Sequence, residues 1–272
     1  MGKYADIEHY FDSWGEFLDE IESNPPSHPL SGQSRSGSYD FTRTNTFEEA
    51  LKLARTGWAE HRVEVEKIAA DLEFSVGEGL RNSFDIVSDV SGQEVNVGAY
   101  LSGEPECMFE FSPVKVSKPG RVITIVVNGS IGGGVEVSEL VKRGAAVTAL
   151  VDLLERLQHS TEVYLEFGKS EVGTNLVKTS TLIKLKAAAA PLDLDLLMFA
   201  TAHPSCNRRL MFAFSEKHHS IGSSSYGLPP RQCWQAERVG ANIILDGADL
   251  GETAESWIKK HLTGWGFSWE DN

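Results

Sequence analysis

The stretch Asn128-Gly129-Ser130-Ile131-Gly132-Gly133-Gly134 has the most to offer chemically in this sequence. It follows a continuous apolar run, RVITIVV (121–127), and precedes a long amphipathic segment. Its main-chain amides therefore belong where a strand hands over to a helix N-terminus, an arrangement that cradles anions. The stretch matches neither G-x-G-x-x-G nor G-x-x-x-x-G-K-[ST], and no lysine follows it closely, so the usual nucleotide-phosphate chemistry is excluded. The same glycines also suit a plain β–α turn, and both readings stay open on sequence alone. Ser130 is a hydroxyl flanked by glycines after a strand, but it lies in no G-x-S-x-G, and no histidine is marked as its base. A second concentration is His203, Cys206, His218, His219 and Cys233. His203-x-x-Cys206 is half of a zinc site, yet no second pair follows at standard spacing, so Cys206 reads as a small buried hydrophobe and His218-His219 as loop residues. Asp193-Leu194-Asp195 pairs two carboxylates at a helix start, where the helix dipole accounts for them. No residue is assigned a catalytic role.

These residues need a frame. Apolar residues at three- and four-residue steps from Tyr10 to Ile21 predict a helix over 6–22, and the Pro/Ser/Gly-rich stretch near 22–38 predicts a linker. Thr46-Phe47-Glu48-Glu49 has the capping-box form and opens a helix that Gly57 ends; a second helix is expected over 59–72. SFDIVSDV (83–90) and EVNVGAYL (94–101) alternate weakly, as strands do. The second half is more regular. Strands are expected at 121–127, 161–167, 181–186, 208–214 and 241–246, with helices at 138–158, 191–202 and 252–262. That order predicts an α/β fold: an open, mostly parallel sheet with one hairpin-joined strand and helices on both faces, preceded by an N-terminal α+β region.

From Arg121 to about Leu262 the order resembles a von Willebrand factor A-type domain, particularly the branch found in cobaltochelatase-like proteins. The first strand of that family ends in D-x-S-x-S, whose oxygens hold a divalent cation; here Asn128-Gly129-Ser130-Ile131-Gly132 stands in its place. VEVSELVKRGAAVTALVDLLERL (135–157) and TEVYLEF look like the family's long first helix and second strand. In that branch basic residues often lead a strand ending in S-D-G or T-D-G, and here His203-Pro204-Ser205-Cys206-Asn207-Arg208-Arg209 leads LMFAF, which ends in Ser215-Glu216-Lys217. A second alignment would make Asp246-Gly247, after ANIIL, the family's D-G. The first is preferred because the element order then matches with one strand left over. The resemblance implies partner binding through the loop edge by Asn128, Gly129, Ser130, Gly132, Ser215 and Glu216. It makes Asn128, Ser130, Glu216 and Asp246 the metal candidates. Asn in place of Asp at 128 removes the charged ligand a hard cation prefers, and Gly132 removes a hydroxyl. A degenerate metal site is therefore expected. No resident cofactor is expected, and Mg²⁺ enters only together with a partner's carboxylate. The resulting division is 1–116 as the N-terminal α+β region and 117–272 as the A-like α/β domain.

The chain has 272 residues, with 25 Lys+Arg against 39 Asp+Glu, a net charge of −14. That balance argues against general nucleic-acid binding and against anionic membrane surfaces. It fits a protein partner that is basic. The N-terminus has no long apolar region, no run approaches the length of a membrane span, and Cys107, Cys206 and Cys233 form no disulfide framework, so a cytoplasmic location is expected. The segment SYDFTRTNTFEEALKLARTGW (38–58) resembles an uncharacterised family often encoded by bacteriophages, which would make that the host cytoplasm. The leading expectation is a protein-binding or assembly module. The alternative is a metal-dependent hydrolase or phosphotransfer enzyme using the 128–134 loop, and a third idea is a zinc-stapled regulatory protein.

Overall fold

The computed structural model describes residues 5–23, 32–73, 81–116, 120–171, 177–218, 229–230, 232–247, 252–265, 267 and 269. The chain begins with a strand, β1 (Ala5–Phe11), where a helix from residue 6 was expected. The helix α1 (Trp14–Glu22) starts only after Ser13, whose hydroxyl accepts the Glu16 N–H at the N-cap. Trp14, Phe17, Leu18 and Ile21 do form its buried stripe. Tyr10 is in the strand, so the apolar spacing ran across the junction of two elements. α2 (Gln33–Ser36) and α3 (Tyr39–Thr42) are single turns. α2 falls inside the expected linker, yet Ser34 is fully buried; residues 24–31 of that stretch lie outside the described residues. α4 (Phe47–Thr56) has the expected N-cap, Thr46 Oγ1 accepting the Glu49 N–H, while Glu49 Oε2 accepts the N–H of Asn45, one residue before the cap. A 3₁₀ turn (Ala59–His61) leads into α5 (Arg62–Glu73).

β2 (Arg81–Asp89), β3 (Glu94–Val95), α6 (Val97–Ser102) and β4 (Met108–Val116) follow. EVNVGAYL is therefore not one strand. Asn96 interrupts it, its side-chain oxygen accepting the Ala99 N–H and starting α6. Then come β5 (Val122–Asn128), α7 (Val137–Arg156), β6 (Ser160–Glu171), β7 (Val177–Lys186) and α8 (Leu194–Ala202). The expected strand 208–214 is helical. Cys206–Met211 forms a π-helical turn that runs straight into α9 (Phe212–His218). Leu210, Met211, Ala213 and Phe214 are all buried, and a short apolar run does not distinguish a buried helix from a buried strand. A 3₁₀ turn (Ala236–Val239), β8 (Ile243–Leu245) and α10 (Ala254–Thr263) complete the order. No helix among the described residues is long and apolar enough to cross a membrane.

The main sheet has the order β1-β7-β6-β5-β8. β1 runs parallel to β7, and β5 runs parallel to both β6 and β8. β7 is antiparallel to its neighbour β6, so three of the four strand pairings are parallel and the sheet is mostly parallel as expected, but two strands, β1 and β7, run against the other three. β5 is buried from Ile123 to Asn128. α7 packs against α5, α8 and α10. On one face of the sheet Val126, Tyr164 and Leu182 pack with Ala236, joined by Tyr10, Cys233, Val239 and Ala241, so the segment around the second 3₁₀ turn covers that face.

The chain divides differently from the expected break at 116/117. Residues 1–75 and 120–266 form one compact unit, and residues 76–119 with 267–272 form the other. The reason is register. β1 is hydrogen-bonded along its length to β7, from Ala5 opposite Val177 to Phe11 opposite Ile183, so the N-terminal segment is a strand of the main sheet. The smaller unit contains the antiparallel sheet β2-β4-β3 and α6.

α7 meets α8 at its closest approach through Gly144, where an added Cβ would stand 2.2 Å from Ala202 Cβ. Gly144→Ala is expected to destabilise the chain by about 1–3 kcal/mol through overpacking. Gly134→Ala, with open space around it, is expected to change stability by less than about 0.5 kcal/mol. Thermal unfolding of both variants checks this, and equal melting temperatures would contradict the close crossing.

Candidate functional site

β5 and β8 end at the same level, beside Glu166 of β6, because Asn128 pairs with Glu166 and Val127 with Leu245, while β6 runs on to Glu171. The 128–134 loop leaves from there, and its polar groups bond to one another. Asn128 is buried; its Nδ2 donates to Pro230 O (3.0 Å) and its Oδ1 accepts the Ser130 N–H (2.9 Å). The Gly129 N–H donates to Glu166 O (2.8 Å), and Gly129 O accepts from Asn207 Nδ2 (3.0 Å). Ser130 Oγ accepts the Gly168 N–H at 2.7 Å. Gly168 has to be glycine, since a Cβ there would lie 2.6 Å from Pro230 Cγ. The amides of residues 129 and 130 are thus committed within the protein and do not face an incoming anion.

Glu166, two residues before Gly168 on β6, is 2% exposed. Its Oε1 accepts from Ser180 Oγ (2.7 Å) on β7 and from the Trp234 N–H (2.8 Å), and its Oε2 accepts the Gln235 N–H (3.0 Å). Gln235 Nε2 in turn donates to Ser180 Oγ (2.9 Å). Asp246, just past β8, accepts the Cys233 N–H on Oδ1 (2.7 Å). Burial pushes the Cys233 thiol up, and the Glu166 and Asp246 carboxylates add to the shift. Arg143 of α7, 2% exposed, donates through Nη2 to Asn128 O (2.9 Å) and Leu245 O (3.2 Å), tying the ends of β5 and β8 together.

Arg208 holds the far side of the loop. Its Nη2 reaches Val135 O (3.2 Å), Gly133 O (3.4 Å) and Gly132 O (3.5 Å), its Nη1 donates to Phe41 O (2.7 Å), and its guanidinium lies 4.3 Å from the Phe41 ring centroid. Arg209, fully buried, donates to Thr44 Oγ1 and to the carbonyls of Ser34, Arg35, Gly37 and Thr44. Burial lowers both guanidiniums from their ordinary range.

The structure brings Asn128, Gly129, Ser130 and Gly132 together, with Asp246 at the same edge. It places Ser215 and Glu216 elsewhere. Both lie on α9, because the residues expected to form the strand before them are helical. Glu216 accepts the Ser34 N–H (3.1 Å) and the Ser34 hydroxyl, so it anchors α2. The preferred alignment on Ser215-Glu216-Lys217 is corrected accordingly, and Asp246 after β8 is the acid that follows a strand beside β5. The donors do not fit a divalent cation. Both ends of the Asn128 amide and the Ser130 hydroxyl are hydrogen-bonded within the protein, and the buried Arg143 guanidinium donates to Asn128 O. Among the described residues no three His, Cys, Asp or Glu side chains are grouped to hold a metal. Of the zinc candidates, His203 is buried, with Trp58 edge-on and Phe199 stacked on it, and its Nδ1 accepts from the Ser205 N–H (3.2 Å) and meets Ser205 Oγ at 2.7 Å. Burial lowers its pKa to about 4. Burial raises the Cys206 thiol, His218 pairs with Glu20 (2.7 Å), and His219 lies outside the described residues. Asp193 N-caps α8, accepting the Leu196 N–H, and Asp195 pairs with Arg62.

Residues 3–266 match the family described as Domain of unknown function (DUF7192). The chain belongs to that family. No curated protein and no solved structure matches it. Glu166, Arg143 and Asn207 are residues that sequence reasoning passed over. An acid near the end of the apolar run TEVYLEF, and an arginine beside the alanine-rich face of α7, were the available signals.

Glu166→Gln keeps the shape but turns an NH₂ group toward donors. It is expected to destabilise the chain by about 1–3 kcal/mol and to alter Trp234 fluorescence. Urea unfolding checks the first effect, and a wild-type midpoint would contradict the role given to the carboxylate.

Proposed function

We propose that this chain is a protein-binding or assembly module with a basic protein partner, its loop edge a degenerate version of a metal-dependent adhesion-type site. One observation carries this: the polar side chains at the C-terminal end of β5 and beside it on β6, where an α/β enzyme would place reactive groups, are bonded to one another and to main chain. Ser130 Oγ meets an amide at Gly168 where a nucleophile would need a base. The order β5–α7–β6, with antiparallel β7 outside β6 and β8 beyond β5, supports an A-type-like frame, a fold that works by contact through its loop edge. The net charge of −14 supports a basic partner. The sequence of residues 38–58 supports a phage-encoded role in a host cytoplasm.

Thermal unfolding with Mg²⁺, with Mn²⁺ and with chelator, on the native chain and on Ser130→Ala, tests the degenerate site. A cation at a hundred times its Kd would add about 2.7 kcal/mol. The expected result is no cation-dependent rise in either protein. A rise in the native chain that Ser130→Ala abolishes would overturn the proposal in favour of a working cation site.

A further inference from the structure

Eleven large apolar side chains are exposed among the described residues, and six of them lie between residues 87 and 101: Val87, Val90, Val95, Val97, Tyr100 and Leu101. Their placement is ordered. Val87 stands opposite Glu110 and Val95 opposite Met108; Met108 and Glu110 are two apart on β4, so Val87 and Val95 share one face of the small sheet. On α6, Val97, Tyr100 and Leu101 follow the i, i+3, i+4 spacing of a single stripe, while Ala99 turns inward and is buried. Asn96 caps the start of α6, and Gly103, at φ 77°, ends it. The stripe is therefore held on a fixed turn, with Tyr100 65% and Leu101 78% exposed.

Charge selects the occupant. Between Arg81 and Lys115 the sequence has no Lys or Arg but contains Asp85, Asp89, Glu94, Glu104, Glu106 and Glu110. Glu94, Glu104, Glu106 and Glu110 are exposed. Glu110, opposite Val87, shares the face of Val87 and Val95, Glu104 and Glu106 follow α6, and Glu94, opposite Phe109, points to the other face; these acidic surroundings repel a second copy of themselves and an anionic lipid surface. They attract Lys and Arg, and the apolar stripe offers them a dry centre. We propose that the exposed apolar stripe of α6, with the glutamates that follow it, docks a basic amphipathic segment of a protein partner. The proposal goes beyond the binding role argued above by naming the surface, and its test does not involve the 128–134 edge, so the two fail separately.

The probe is a labelled helical peptide of Leu and Lys, about 18 residues or five turns long, with a counterpart carrying Glu for every Lys. Fluorescence anisotropy is measured on the full chain. The Leu/Lys peptide should bind and the Leu/Glu peptide should not. The double variant Tyr100→Ser/Leu101→Ser should weaken binding at least about tenfold. Glu104→Gln/Glu106→Gln should weaken it and flatten its salt dependence. Val63→Ser, at an exposed valine elsewhere, should leave it unchanged. These side chains are exposed, so wild-type circular dichroism and melting are expected for every variant. Equal affinity of Tyr100→Ser/Leu101→Ser and Val63→Ser would overturn the proposal. So would equal binding of the Leu/Glu peptide, or self-association by sedimentation that the double variant abolishes, or binding to phosphatidylserine vesicles that it abolishes.

Discussion

A carboxylate buried in a sheet needs donors around it, and much of this molecule's loop edge is the consequence of supplying them to Glu166. Ser180 comes from the neighbouring strand, and the Trp234 and Gln235 amides come from a segment nearly seventy residues away in sequence. Seating those amides lays residues 233–241 over the sheet. Pro230 then accepts from Asn128, Asn128 fixes Ser130, and Ser130 accepts from Gly168, two residues past Glu166. The bonds close into a ring. Each member is buried or half-buried, so breaking one leaves its neighbour short of a partner, and the ring stands or falls as a unit.

Arginine does the complementary work. Arg143 draws the ends of β5 and β8 together through two carbonyls, Arg208 gathers the carbonyls of the glycine loop, and Arg209 collects those of residues 34–44. A planar guanidinium with several donors suits this task, since the acceptors it meets are main-chain oxygens that would otherwise be buried without water. At the end of β5 the chain's own Arg143 supplies positive charge. The result is a rigid edge with its hydrogen bonds turned inward, and a smaller unit that turns apolar side chains outward.

The elements with one dominant signal were legible in the sequence. β5 and β6 are apolar runs of strand length, α7 carries a wide apolar face, and the cap at Thr46 is written in four residues. Elsewhere two physical causes produced the same pattern. Tyr10 and Trp14 are four apart, as on a helix, but Ser13 breaks the chain between a strand and a helix. Residues 206–214 are buried except for half-buried Phe212, their polar side chains Asn207, Arg208 and Arg209 included, so they lack the solvent-facing side by which a helix is recognised. The glycine-rich loop was found from its composition, but its internal bonding was not, because that depends on residues at 166, 168 and 230 brought in by the sheet register. Glu166 itself sits at a position where alternation would place a solvent-facing residue. It is buried because a distant segment covers that face.

The ring around Glu166 is reached most directly by amide hydrogen exchange at Gly129, Ser130, Gly168, Trp234 and Gln235, followed by NMR in Mg²⁺ and in chelator. If the edge is internally committed, all five amides exchange slowly and at rates independent of the cation. Fast exchange at any of the five, or protection that appears only with Mg²⁺, would contradict it.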